Sequence, residues 1–423
     1  EIRMDMESNH SREDRSGDSP MRQVEGNYLT RVVSDPSEIA STDWDGLLGA
    51  CEAGDTRNPF MRYAYLHAMH ASQSAVPETG WTPRFVTLWS DETLVGACAL
   101  YLKEHSYGEY VFDWAWARAY QEHQVPYYPK ALIASPFTPV PGPRLLASNN
   151  EAKHALLAAV LATCESLGIS SLHLLFGDQE DLAVCESAGL MTRQTVQFHW
   201  TNRAPNDSGS GYADFDDFLS TLNQEKRKKI KQERRKVSDA GVSFKAYRGG
   251  EISTDLWELF YQCYSQTYLE HGNAPYLSRD FFQRMQDEMP ENWLLFVGYT
   301  PDGTPFATSL IGLATHAQTG EVQAAFGRYW GALARVDCLH FEACYYQPIA
   351  WCIANGVERF EGGAQGEHKM ARALMPVTTY SAHWLAHPSF AEAVGRYLDR
   401  EREGIADYVD HLSARSPFKG PAP

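Results

Sequence analysis

VERFEGGAQGEHKMARALMP, residues 357–376, decides how this chain is read. Val-Glu-Arg-Phe starts a short buried strand. Gly362 and Gly363 stop it, and Gln365, Glu367, His368, Lys369 and Arg372 follow before Pro376. Paired glycines at a strand end let a ligand approach the backbone closely. Acid, imidazole and base set out in a row then read in two ways: as the rim of a reaction site, or as a loop whose charges pair with one another.

The elements around this stretch repeat earlier in the chain. Before it, VDCLHFEACYYQPIAWCIANG (336–356) reads as a helix, and after it TTYSAHWLA (378–386) as a closing strand. The first half has NNEAKHALLAAVLATCESLG (149–168) as a helix with Asn caps and a terminal Gly, SSLHLLF as a buried strand, QEDLAVCESAG as a second helix and MTRQTVQFHWTN (191–202) as a closing strand. Each set follows a hairpin, RFVTLWS-DET-LVGACALYLK (84–103) in one and WLLFVGYT-PDGTP-FATSLIGLATH (293–316) in the other. A linker rich in Pro, Gly, Ser and Asp, RAPNDSGSGYADFDD, divides them. The expectation is a mixed α/β (α+β) protein of two tandem units, 27–204 and 205–423, each a twisted sheet flanked by helices and each closed by its own last strand. In the second half HKMARAL is the one candidate for the second helix.

At 423 residues, two domains suit the length. Residues 1–26 are charged, lack the apolar core of a signal peptide, and read as a disordered tail. No apolar run approaches the roughly 20 residues of a membrane span. Eight scattered cysteines without a CxxC pair suggest free thiols in a reducing cytoplasm.

The net charge of −17 disfavours nucleic acid and anionic membrane on average, yet KRKKIKQERRK (226–236) alone carries +7 and leaves −24 for the rest. It falls within an expected basic helix, 215–241, whose stripe of Phe215, Leu219, Leu222, Ile230 and Val237 also takes in Lys226, while Arg227, Lys228, Lys231, Arg234 and Arg235 fan over the other face. A face of one sign costs stability through like-charge neighbours. A site for phosphate groups or an RNA backbone is one reading; a solvated face is the other.

On the helix before the opening stretch, Glu342 lies inside an apolar arc of Cys338, Phe341, Tyr345, Ile349 and Cys352. A buried carboxylate needs a cation or a raised pKa, so Glu342 is either half of an ion pair or a base. His340 lies on the polar side near Gln347, and Pro348 should kink the helix. Cys338, Cys344 and Cys352 argue weakly for a thiol nucleophile, but they sit at core-like helical positions.

FGRYWG, LHFEACYYQPIAW, FEGGAQGEHKMARALMPV and TYSAHW, with NPF near the start and PVPGPRLL in the first half, resemble the bacterial FemAB-like N-acyltransferases of the GNAT superfamily, over about residues 28–412. The resemblance implies two tandem GNAT-like units, as in the Fem peptide-bridge ligases, which move an aminoacyl group from a charged tRNA to an amine; other members of the superfamily use acyl thioesters. The implied activity is N-acyl transfer by direct attack of an amine. The donor would be acyl-CoA, an acyl-carrier protein or an aminoacyl-tRNA, with no tightly bound cofactor. The acceptor would be an amine, possibly phosphate-containing, in peptidoglycan-related chemistry. A non-catalytic module recognising RNA or a cell-wall precursor is the alternative.

The same resemblance implies a cleft where the sheet opens at FEGG. Glu361, Glu367, His368, Glu342 and His340 are then its catalytic candidates. Arg328, Tyr329, Tyr346, Gln365, Lys369, Arg372, Gly362 and Gly363 would bind substrate, and Lys226, Arg227 and Arg234 would meet its phosphates. RYWGALA (328–334) comes near the coenzyme A pyrophosphate pattern, but Leu333 stands where Gly or Ala is required; it reads as a loop leading to a helix N-terminus. Glu342, Glu361 and His368 should line one cleft, with Arg328 and Arg372 supplying positive charge. A metal role for Glu367, His368 and His340 is set aside, since neighbouring Glu and His rarely point the same way.

Overall fold

The structure, a computed structural model, describes residues 22–24, 28–52, 56–205, 207–364 and 366–419. Of the expected tail, only Arg22–Val24 is described, as an edge strand paired with residues 28–30. Gln365 also lies outside the described residues.

One large mixed sheet runs through both halves, in the order Ser243–Arg248, Trp293–Tyr299, Pro305–His316, Val322–Ala332, Arg359–Ala364, Met191–Thr201, Met375–Leu385, Ser171–Leu175, Lys130–Ile133, Leu100–Lys103 and Trp81–Pro83. Its two ends share a plan. The second half lays down four antiparallel strands, then Arg359–Ala364 parallel to Val322–Ala332. The first half brings three antiparallel strands to this sheet, then Ser171–Leu175 parallel to Lys130–Ile133. The hairpin of the first half differs from its counterpart in being bent. Phe85–Ser90 and Thr93–Cys98 belong to a second, five-stranded sheet, while the adjoining Trp81–Pro83 and Leu100–Lys103 join the large one. Pro83, with no N–H for a ladder, sits at the bend.

The closing strands do not close their own halves. Met191–Thr201 lies against Arg359–Ala364 of the second half, and Met375–Leu385 lies against Ser171–Leu175 of the first. They pair with each other from Met191↔His383 to His199↔Met375. An alternating pattern fixes which face of a strand is buried, not which strand becomes its neighbour. At this seam His173 and His383 meet, Nδ1 to Nδ1, at 2.7 Å.

The halves also share a core. Phe60, placed by an Asn58 side chain that accepts from its N–H at 3.0 Å, packs edge-on against Tyr65, Trp293 and Phe326.

Three expected helices are remodelled. The basic segment is two helices, Phe215–Ser220 and Gln224–Asp239, because Asn223 caps the second through Lys226 N–H at 3.0 Å and Leu222 bridges to Phe418. The helix from Leu339 widens into a π-turn over Glu342–Tyr346, with Gln347 N–H bonded to the Glu342 carbonyl. The extra residue in that turn accommodates Pro348, whose ring would clash with the carbonyl four residues back in a regular helix. HKMARAL is a 3-10 turn, Glu367–Arg372, rather than an α-helix.

Candidate active site

Val322–Ala332 and Arg359–Ala364 stay paired only from Ala324↔Arg359 to Phe326↔Glu361. From Gly327 and Gly362 onward they part, and a cleft opens between them. The glycine pair fits this place: a Cβ on Gly362 would meet Leu374 Cδ2 at 2.5 Å, and Gly363 has φ +77°. RYWGA belongs to the strand, not to a loop before a helix. Its register slips so that Ile311 faces Gly327 while Leu310 faces Tyr329, leaving Arg328 as the extra residue of a β-bulge. Bulges re-aim side chains, and Arg328 turns into the cleft.

Two adjoining hollows share Gly327, Arg328, Tyr329 and Gly362. The inner one, about 150 Å³, is lined by His340, Cys344, Tyr345, Trp330 and Ser309. The outer one, about 390 Å³, takes Gly363 and Tyr276 from the second half and a wall from the first, the segment Ser106–Trp114 and Pro139. Arg328 donates to the Phe137 carbonyl at 2.9 Å and to the Tyr329 hydroxyl at 3.0 Å. Burial pushes the His340 imidazole down to about 4, with His368, Arg372 and Lys369 adding to the effect. Burial also pushes the Cys344 thiol up to about 12, which removes it as a thiolate nucleophile. Lys369 supports the cleft from behind, donating to the Gly362 carbonyl at 2.6 Å, and its amine is lowered to about 8 by burial.

Among the described residues the first half shows no matching opening. Beyond Ile133 and Leu174, Gly142 N–H bonds back to the Phe176 carbonyl and Arg144 Nε to the Leu175 carbonyl, both at 3.0 Å.

The structure separates residues that the sequence grouped. Glu342 faces the basic helix and accepts from Arg234 Nε at 3.1 and 3.2 Å and Nη2 at 2.9 Å, with Gln347 adding 2.8 Å. Arg372 is held away from the cleft by Glu233, at 3.1 Å to both oxygens, and lies 3.6 Å from the Phe341 ring centre. Tyr346, expected to touch substrate, gives its hydroxyl to the same Glu233. Glu361 sits within the sheet, accepting from Arg359 at 3.0 Å with its other oxygen 3.8 Å from His199. Glu367 bonds Tyr408 and lies 3.7 Å from Arg415; with His368 and Lys226 it borders a separate hollow. Glu342, Glu361 and His368 therefore do not line one cleft, because each charged group had a nearer partner or a different face. Arg227 reaches the Leu222 carbonyl, at 3.5 Å. Lys231, Arg234 and Arg235 border a groove of about 590 Å³ beside Phe215, Phe244 and Glu342.

Of the residues singled out in the sequence, Arg328, Tyr329, His340, Gly362 and Gly363 border these two hollows. Sequence reasoning missed Glu233, the lone acid of the basic run, as the anchor of that helix. It also missed the wall Ser106–Trp114, although SYGEYVFDW is conspicuously aromatic.

The parallel strand pair repeated in plan within one chain, splayed open in the second half, defines a tandem GNAT-type fold. A sequence model of the FemAB-like family, described as peptidoglycan biosynthesis/recognition, matches residues 35–420, and the chain belongs to that family. Among solved structures, FemX is similar with a TM-score of 0.50 at 10% identity, covering 84% of this chain and 98% of that one. L-PGS from Bacillus licheniformis gives 0.48 at 11% identity over 82% and 99%. A tandem GNAT protein from the clavulanic acid pathway gives 0.41 at 11% over 85% and 99%. No match is found among curated protein sequences. Among the described residues no helix is long and apolar enough to cross a membrane.

Proposed function

We propose that this chain is an N-acyl- or aminoacyltransferase acting in peptidoglycan-related chemistry, with units 27–204 and 205–423 and its reaction in the cleft of the second. The observation that carries this reading is the opening at Gly327 and Gly362 around a bulged Arg328 and a neutral His340.

The donor's acyl carbon would lie between the parted strands, and the acceptor amine would attack it. The carbonyl becomes an oxyanion, and the attacking nitrogen becomes an ammonium more acidic than the free amine. His340, neutral at pH 7, takes that proton. The tetrahedral carbon then collapses, the bond to the donor sulfur or oxygen breaks, and the leaving thiolate or alkoxide is protonated as the amide forms. Arg328 supplies positive charge near the developing oxyanion. The groove at Lys231 and Arg235 would meet phosphate on the donor or acceptor, and the reaction would run in the cytoplasm.

The test is transfer to a panel of amine acceptors from acyl-CoA, acyl-carrier protein and charged tRNA. One donor should give turnover that His340→Gln lowers by roughly a hundredfold or more without loss of folding. Specific binding with no turnover from any donor would favour the recognition module instead.

A further inference from the structure

Five Phe, Tyr or Trp side chains are exposed among the described residues, and all five line the outer hollow: Tyr107, Tyr110, Phe112, Trp114 and Tyr276, from 36% to 58% accessible. Large exposed rings scattered singly need no explanation, but a complete set gathered on one concavity does. One of them is already stacked and two more are in edge contact. Tyr276 lies on buried Phe137 with centres 4.9 Å apart and planes 17° apart, while Tyr107 meets Trp114 edge-on at 5.3 Å.

At the floor stands Arg328. Two buried arginines elsewhere hold carboxylates, Arg372 with Glu233 and Arg193 with Glu401, whereas Arg144 is enclosed in the core and bonds the Val140 and Leu175 carbonyls. Arg328 has no carboxylate within 4 Å among the described residues. Its two hydrogen bonds go to neutral oxygens, and its Nε is buried without a partner. Unlike Arg144, half-buried Arg328 borders an open hollow, and a guanidinium placed so suits an anion, whose oxygens fit its planar fork.

We propose that the ligand of this cleft is a ring-bearing anion. A carboxylate or phosphate group docks on Arg328, and a ring with a flat apolar face extends the Phe137–Tyr276 stack against the rim. Ring stacking on aromatic side chains contributes attraction beyond burial, and the cation at the floor fixes orientation. The acidic balance of the chain, −17, argues against the rim being a seat for an anionic membrane. The proposal rests on the transferase reading only in taking this cleft as the substrate site.

Ligand-observed NMR at millimolar concentration tests it without requiring turnover, so failure of catalysis leaves the result intact. The probes are 3-phenylpropionate, N-acetylglucosamine 1-phosphate, propionate, inorganic phosphate and 3-phenylpropanol. At least one of the first two should bind about tenfold or more tighter than every probe lacking ring or charge, and which one binds distinguishes an aromatic from a sugar ring. Arg328→Gln should erase the preference for charge, and Arg328→Lys should retain part of it. Tyr276→Ala with Trp114→Ala, both at exposed positions, should erase the preference for the ring without moving Tm. Equal binding of ringless or uncharged probes, no binding of any probe, or an unchanged pattern in the rim variant would overturn the proposal.

Discussion

Arg234 and Glu342, 108 residues apart, are joined by a bidentate pair that ties the basic helix to the π-turn. Arg234→Ala strands a carboxylate only 6% exposed. The expected loss is about 2 kcal/mol, below the 3–5 kcal/mol of a wholly buried pair because Arg234 is 30% exposed. Adding Glu342→Gln should restore much of it, since no charge is then left unpaired. Denaturant midpoints of the two single variants and the double variant measure this.

His340 should set the acid limb of the pH–rate profile. Its imidazole is held down to about 4, so the base form is present above that pH and lost below it. With donor and acceptor in hand, kcat should be level from neutral pH to about 5 and fall toward 4. His340→Gln should cost roughly a hundredfold to ten-thousandfold. Glu361→Gln and His368→Ala, removed from the cleft, should change turnover by only a few fold. A large loss with either would return the base to the sheet or to the 3-10 turn.

Phe60→Ala should destabilise both halves in one transition. The ring fills the space above Gly312, where a Cβ would lie 2.6 Å from Phe60 Cζ. Loss of a buried Phe costs about 3–5 kcal/mol. Calorimetry should show a single shifted peak; two separated peaks would contradict a shared core.

Stability should fall on acidification below pH 6.5. Burial depresses His173 to about 3 and His340 to about 4, and carries His383 well below its ordinary value. In the unfolded chain each takes a proton near 6.5. Between about pH 4 and 6.5 the unfolded state binds more protons, so the contribution is complete above 6.5 and declines as pH falls. Each group adds up to about 1.4 kcal/mol per pH unit to the slope. Unfolding free energies at pH 7, 6 and 5 give that slope, and His383→Asn should reduce it.

Reversing Lys231 and Arg235 to Glu should weaken binding of a phosphate-bearing substrate and flatten its dependence on salt. Both border the groove beside Glu342 without belonging to the Arg234 pair. Titration at three salt concentrations decides it; an unchanged slope returns this face to plain solvation.

Local signals in the sequence were strong where the physics is local. Asn149 caps its helix as its position suggests, and Gly362 and Gly363 lie where the sheet opens. The misses are non-local. Nothing in TTYSAHWLA or MTRQTVQFHWT says that each strand pairs across to the other half, since neighbouring strands compete on equal terms for the same pattern. The bulge at Arg328 is a single-residue slip, visible only against Leu310 and Ile311. The sequence left Glu342 as half of an ion pair or a base; its pairing with Arg234 depends on how the basic helix docks, where Glu233 meets Arg372 and Tyr346.

The exchange of closing strands has a consequence during translation. Ser171–Leu175 leaves the ribosome about 200 residues before Met375–Leu385, the strand that covers its edge. At 5–20 residues per second that edge waits roughly 10–40 s, unpaired and apolar, beside other nascent chains. The first half is thus a client for chaperones until the last strand arrives, and a ribosome stalled between the two halves releases an aggregation-prone fragment rather than a finished domain.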